Sequence, residues 1–256
     1  MKGKSQMNAA SGRSHSMRYD PIFMMECLLL KMKSNEAYHL IQKNKLLPLP
    51  HPSTIRRYIS SSDCRFGFND LALEHIKKAL DGLDPTDQMG SLIWDEISMK
   101  KDLTWDPKNL EWQGIVDFGG EVPTVPNDIA DHALCFMFRP YKQSWVQPFA
   151  CFASKGAASG AVLYSLITKA ISVLFNHKAI VRSCVCDGCS SNKTAMTMFG
   201  INTSAEKCKP FFLHPLNPDV KVYWFIDVPH ALKCVRNHLM KHKIVQVCIA
   251  ACCHFS

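Results

Sequence analysis

Two aspartates stand where a sheet would present them to a ligand. Asp95 follows the apolar run Leu92-Ile93-Trp94, and Asp187 follows the nearly all-apolar stretch 179–186. Open α/β sheets bind their ligands beyond the carboxyl ends of the strands. Two carboxylates brought together there repel each other unless a divalent cation neutralises them, and magnesium, a hard ion that prefers oxygen, suits such a pair. Paired ions of this kind activate a water or a 3′-hydroxyl and stabilise the leaving oxygen in phosphodiester chemistry. Strand-end aspartates also serve as caps, turn residues and ion-pair partners, so the catalytic reading requires the two to lie on neighbouring strands. Glu96 adjoins Asp95, and period-two alternation would turn it to the opposite face.

A second kind of chemistry is written in Pro52-Ser53-Thr54-Ile55-Arg56-Arg57. A helix opening here would offer its positive N-terminal dipole to phosphate, while Arg56 and Arg57 reach phosphates or guanine edges. The plainer alternative is a solvated basic face on a small helical bundle. The cysteines suggest less. Cys184, Cys186 and Cys189 lie close together with Cys208 and His214 downstream, but structural zinc usually draws C-x2–4-C pairs from turns. Cys184 and Cys186 would share one face of a buried strand, so zinc is not expected. The 12 cysteines are scattered through apolar segments such as those holding Cys27, Cys135, Cys151, Cys234 and Cys248. With no apolar signal segment in the polar residues 1–16 and no run long enough for a membrane span, this pattern suits reduced thiols in a soluble intracellular chain.

The elements that must position these residues fall into two textures. Residues 1–16 read as a disordered tail. A helix from Asp20 and Pro21 to about Lys33 carries Ile22, Phe23, Met25, Leu28, Leu29 and Met32 on a broad apolar face. Ser34 caps a second helix with Glu36 in its first turn, and the prolines of Leu47-Pro48-Leu49-Pro50-His51-Pro52 end it. Ser53 caps a third, with Ile55, Tyr58 and Ile59 inward, and Asn69 a fourth running to about Leu80. After the turn Asp81-Gly82-Leu83-Asp84-Pro85 the texture becomes β. Strands are expected at 91–99, 110–118, 132–139 and 145–153, then a helix at 156–176 and a buried parallel-type strand at 179–186. A helix at 190–199, a strand at 221–226 and a helix from Pro229 to Lys243 complete an α/β layered domain with a mixed sheet. Charge follows the same division. Residues 1–80 carry 13 basic and 6 acidic side chains, whereas residues 81–210 carry 12 and 14. A basic head before a carboxylate-bearing middle suits a polyanion binder.

Several motifs together resemble the P-element and THAP-domain transposase family. They are Leu92-Ile93-Trp94-Asp95-Glu96, Gly114-Ile115-Val116-Asp117-Phe118-Gly119, Ala133-Leu134-Cys135-Phe136-Met137-Phe138, Val185-Cys186-Asp187-Gly188-Cys189-Ser190-Ser191-Asn192, and Asp227-Val228-Pro229-His230-Ala231-Leu232-Lys233-Cys234-Val235-Arg236-Asn237. They appear in family order. The resemblance implies a helix-turn-helix-like DNA-binding region at 17–80, an incomplete RNase H-like core at 85–226, and at 227–256 the beginning of a GTP-binding insertion domain. It matches Asp95 and Asp187 to the first two acids of a DDE/D site using Mg²⁺ or Mn²⁺. It matches Asp227 and Lys233 to guanine-nucleotide positions, with GTP a doubtful ligand for this stretch alone.

Two departures from the family pattern stand out. Nothing before Cys27 could form the zinc-binding THAP domain, and no acid follows Asp227 to supply the last catalytic carboxylate. The implied protein is a nuclear transposase fragment, not catalytically competent alone, whose partner is double-stranded DNA at transposon ends, with possible self-association or pairing with intact transposase. The alternative is a non-enzymatic DNA-binding regulator derived from a transposase. A GTP switch is disfavoured by the absence of a G-x-x-x-x-G-K-[ST] loop.

Overall fold

The proline-interrupted stretch between residues 47 and 52 is the hinge on which the N-terminal helices fold together. In a computed structural model, which describes residues 19–60, 65–107, 110–124, 128–204 and 206–241, the chain divides into two compact units at residues 64 and 65. The first unit holds helices α1 (Pro21–Lys33), α2 (Asn35–Lys43) and α3 (Pro52–Ser60). Asp20 caps α1 by accepting from Ile22 N–H at 2.9 Å, and Ser34 caps α2 by accepting from Ala37 N–H at 3.1 Å. Helix α3 begins at Pro52 rather than behind a Ser53 cap. Proline suits a first turn, where its missing N–H would have had no helical partner.

A small core of Met24, Cys27, Tyr38, Leu49 and Ile55 joins the three helices. Pro50 O accepts from the Tyr38 hydroxyl at 2.6 Å and from Gln42 Nε2 at 3.0 Å, which pins the connector against α2. Tyr38 is wholly buried, and burial pushes its phenol above the usual range. Tyr38→Phe should therefore lower the melting midpoint of this unit by the equivalent of about 1 kcal/mol, the net worth of one buried hydrogen bond. An unchanged midpoint would mean that Gln42 alone holds the connector.

The buried face of α1 differs from the expected one. Ile22, Met25, Leu29 and Met32 are exposed, and the helix buries Met24 and Cys27 instead. Apolar residues surround most of α1, so periodicity alone could not choose its inner side. Tyr58 is likewise on the exposed side of α3, whereas Ile55 is buried as expected. The side chain of Ile59, the tail at 1–16, the stretch beyond Lys241 and Cys248 lie outside the described residues.

The second unit is built on a seven-stranded mixed sheet in the order β1-β6-β5-β2-β7-β9-β8. The strands are β1 (Gly67–Phe68), β2 (Met89–Ser98), β5 (His132–Pro140), β6 (Gln147–Ser154), β7 (Ile180–Cys186), β8 (Phe211–His214) and β9 (Asn217–Ile226). Strands β2, β5 and β6 run antiparallel in succession, while β7 and then β9 add in parallel on the other side of β2. Helices α4 (Asp70–Leu80), α5 (Gly160–Asn176), α6 (Ser190–Met198) and α7 (Val228–Lys241) connect or follow them. This is the expected α/β class, with the RNase H-like strand arrangement.

Alternation along β2 buries Leu92 and Trp94 while Asp95 is exposed, so the strand delivers its acid immediately beyond the core. Helix α5 packs Leu163, Leu166, Ile167, Ala170, Ile171 and Leu174 into the same core. Each of the leucine and isoleucine side chains contributes roughly 1.5–3 kcal/mol of apolar burial.

Two segments depart from the sequence reading. Helix α4, grouped above with the DNA-binding region, buries Ala72, Leu73, Ile76 and Leu80 in the core of the sheet unit. Its preceding strand β1 pairs with β6, so the contact boundary falls at 64–65 rather than near 80. Residues 110–118 do not form one strand. Strand β4 (Glu111–Gln113) pairs only with β3 (Thr104–Asp106) in a separate two-stranded sheet. Gly114, at φ 98°, then bends the chain where a Cβ would lie 1.8 Å from Asp102 O. Only glycine can make that turn.

Candidate active site

Strands β2 and β7 are parallel neighbours, with Ile93 opposite Val185. Two residues further, the register brings Asp95 level with Asp187, the residue that follows Cys186 at the end of β7. Both carboxylates line one cleft of about 180 Å³ at this end of the sheet. Trp94, Glu96, Ser98, His132, Cys189 and Asn192 line it too. A larger cleft, about 460 Å³, lies in the N-terminal unit among Leu28, Lys31, Met32, Asn35, Ile55 and Arg56, where no carboxylate lines it.

Asp187 is held by its own turn. Burial raises its pKa, but the Cys189 backbone N–H and thiol, the Asn192 amide and the charge of His230 outweigh burial and leave it lowered. The Cys189 N–H donates to Oδ1 at 3.1 Å, and Asn192 Nδ2 donates to the same oxygen at 2.6 Å. Asn192 is itself buried and accepts from Trp94 Nε1 at 2.9 Å. An indole, an amide and a carboxylate thus form one chain across β2, α6 and the end of β7. Asp95 accepts from the Glu96 N–H at 2.8 Å.

Glu96 corrects a sequence expectation. Alternation does put it on the other side of β2, yet its carboxyl lines the cleft and accepts from Ala158 N–H at 2.8 Å. Trp94 and Ser98, which alternate onto the same face of β2 as Glu96, line the cleft with it. Burial raises the Glu96 pKa most; Ala158 N–H and His132 oppose this, while Asp187 and Asp95 reinforce it. Asp187 and Asp95 thus set further negative charge beside Glu96, charge that a bound cation would offset. Sequence reasoning also missed Asn192, Ser98 and His132. Only Asn192 left a local signal, as an amide five residues after the acid on the inward side of α6.

The other candidates lie elsewhere. Arg56 and Arg57 are exposed on α3, as expected. Asp227 precedes α7, its N–H donates to Cys186 O at 2.8 Å, and its carbonyl accepts from Ala231 N–H at 2.9 Å. Lys233 is on the same helix, which buries none of its residues, and neither residue lines the cleft. Cys184 and Cys186 are buried on β7, and burial pushes the Cys186 thiol up to about 12. Cys135 and Cys151 face each other across β5 and β6 as free thiols, sulfurs 3.6 Å apart.

Among the described residues, no three of His, Cys, Asp or Glu are gathered into a metal cage. The cleft offers instead two level aspartates with a glutamate nearby, all oxygen donors. That set fits magnesium or manganese, because magnesium is commonly held by one or two carboxylates while waters and substrate phosphate complete its shell.

A family model described as the TNP-like RNase H N-terminal domain matches residues 64–200. The chain is 25% identical over 218 residues to the DNA transposase THAP9 of Homo sapiens, covering 85% of this chain and 24% of that protein. It is 28% identical over 202 residues to the Transposable element P transposase of Drosophila melanogaster, covering 79% of this chain and 23% of that one. The fold matches a chain of the Drosophila P element transposase strand transfer complex with a TM-score of 0.65 at 24% identity, over 91% of this chain and 47% of that chain. This chain therefore spans about a quarter of the length of the two relatives.

Proposed function

Because the chain belongs to the P-element-type transposase family through its TNP-like RNase H N-terminal domain, we propose that it is a transposase-derived DNA-binding protein carrying part of a metal-dependent DDE/D strand-transfer core. The observation that carries this reading is that Asp95, within β2, and Asp187, just past the end of the adjacent parallel strand β7, line one cleft. Asp95 and Asp187 would hold Mg²⁺ or Mn²⁺, which when bound supplies Lewis-acid activation of a hydroxyl nucleophile and stabilisation of the leaving oxygen. Asn192 and Cys189 fix the Asp187 carboxylate in place and keep it ionised. Glu96 adds negative charge at the cleft wall. Two placed family acids do not make a full DDE/D set, so specific cleavage of transposon ends by these 256 residues alone is not expected.

The proposed partner is double-stranded DNA at transposon ends, in the nucleus. Its contact would come from the N-terminal helical unit, with Arg56 and Arg57 as phosphate ligands on α3. Asp227 and Lys233 remain the proposed guanine-nucleotide positions, Lys233 as a phosphate partner.

Duplex binding measured by fluorescence anisotropy across a salt series tests the DNA reading. Affinity should fall steeply with salt, and alanine at both Arg56 and Arg57 should weaken binding and flatten the log–log slope by about one unit per lost phosphate contact. If both substitutions leave the affinity and slope unchanged, this basic face is only solvated.

A further inference from the structure

At the mouth of the same cleft, three side chains form a line of hydrogen bonds that the metal-binding acids do not use. His132 opens β5 and stands directly across from Ser98, the last residue of β2. Its Nδ1 is 2.7 Å from Asp131 Oδ1, and its Nε2 is 3.1 Å from Ser98 Oγ. An ionised carboxylate only accepts, so Nδ1 must carry the hydrogen. In the neutral ring, Nε2 is then left with a lone pair, and the Ser98 hydroxyl donates to it.

Asp131 is fixed from several sides. Its carboxylate accepts from Gly156 N–H at 2.6 Å and from Lys101 Nζ at 3.2 Å. Its backbone N–H donates to Ser154 O at 2.9 Å, and its carbonyl accepts from Met99 N–H at 2.7 Å. The Gly156 bond first, then His132 and Lys101, hold the carboxyl well below the usual range against a smaller opposing effect of burial. A tie between two strand ends would need only the Ser98–His132 bond. It would not need a pinned anion behind the ring, nor a ring and hydroxyl that both line the cleft holding Asp95 and Asp187.

We propose that Ser98, His132 and Asp131 form a proton relay for the hydroxyl nucleophile of phosphodiester chemistry in this cleft, an inference that rests on the nuclease reading above and deepens it. The nucleophile's oxygen bonds to phosphorus as the P–O3′ bond breaks. Its proton passes to Ser98 Oγ while the proton of Ser98 passes to His132 Nε2, and the leaving 3′-oxygen takes a proton from solvent. Asp131 stabilises the imidazolium that results and keeps the ring in the required tautomer. Ser98 touches the reacting hydroxyl; His132 and Asp131 act through it and are positioning residues.

The relay would make Ser98 unusually nucleophilic even without a metal, which separates this test from the nuclease reading. The full chain in chelator is treated with an alkyl fluorophosphonate, and labelled serines are mapped by peptide mass spectrometry. In that reaction Ser98 Oγ bonds to phosphorus, fluoride leaves, and the hydroxyl proton goes to His132. Ser98 should be labelled ahead of every other serine, with the rate reduced about tenfold or more in His132→Gln and less severely in Asp131→Asn, the scale of lost general-base assistance. The ¹⁵N imidazole spectrum of the unsubstituted chain should show the His132 hydrogen on Nδ1, a reading that stands even where a variant does not fold. Labelling of Ser98 no faster than of other serines, or a hydrogen on Nε2 of the neutral ring, overturns the relay. Weak metal binding with intact Ser98 labelling would instead count against the nuclease reading alone.

Discussion

Replacing Asp187 by asparagine should weaken Mn²⁺ binding to this chain by more than about tenfold, equivalent to about 1.4 kcal/mol or more. The substitution preserves shape and removes one of the two carboxylates, halving the charge the pair offers a cation and leaving Asp95 alone. The remaining amide oxygen is a weaker ligand for a hard cation. The fold should survive, because Asp187 is a partly exposed turn residue whose Oδ1 accepts from the Cys189 N–H and from Asn192, and an amide oxygen can accept the same bonds. Titration calorimetry or the electron paramagnetic signal of free Mn²⁺ would report the change. Asp95→Asn should do the same, and the double variant should add little once the pair is broken. Equal affinity in wild type and Asp187→Asn would remove the metal site from this cleft, whatever the family relationship.

The acids were legible in the sequence because each follows a largely apolar run, Leu92-Ile93-Trp94 before Asp95 and residues 179–186 before Asp187. Residues 179–186 read as a buried strand, and Asp187 emerges just past its end, whereas β2 runs on through Asp95 to Ser98. What the runs could not state was that β2 and β7 are neighbours in a register that levels the two acids. Non-local pairing of the same kind conceals Ser98 and His132. They are separated by more than thirty residues and meet only because β2 and β5 pair antiparallel along their whole lengths. Glu96 was hidden for a different reason. Alternation assigns a face correctly, but it does not say that the cleft takes in Trp94, Glu96 and Ser98 as well as Asp95.

In the N-terminal unit the helices were evident from caps and prolines, whereas the inner side of α1 was not, since apolar residues on nearly every side leave no pattern to read. Helix α4 carried helical spacing but no mark of which unit it would join. Its place is decided by the two-residue strand β1 and by β6, where Phe68 stacks on Phe149 at a ring separation of 6.2 Å and meets Phe152 edge-on at 5.5 Å.

Asn192→Leu should have consequences in both stability and acid response. The side chains are similar in volume, and position 192 is buried, so packing is largely kept while three hydrogen bonds are lost. Trp94 Nε1, on a side chain buried in β2, loses its acceptor at 2.9 Å to a leucine that offers none. An indole N–H left unsatisfied in that way costs about 1–3 kcal/mol, a deficit that should appear as a lower denaturant midpoint at neutral pH. Asp187 meanwhile loses the donor at 2.6 Å that helps to hold its pKa down. A carboxylate whose folded pKa lies below its unfolded value stabilises the fold above the unfolded pKa. That contribution disappears as pH falls through the folded pKa. Wild type should therefore lose this part of its stability in acid, starting near the ordinary aspartate value of about 3.9 and continuing below it. In Asn192→Leu the folded and unfolded values of Asp187 draw together, so the neutral-to-acid difference between the proteins should shrink as pH falls. Parallel curves across that window would mean that Asn192 supports Trp94 but leaves Asp187 untouched.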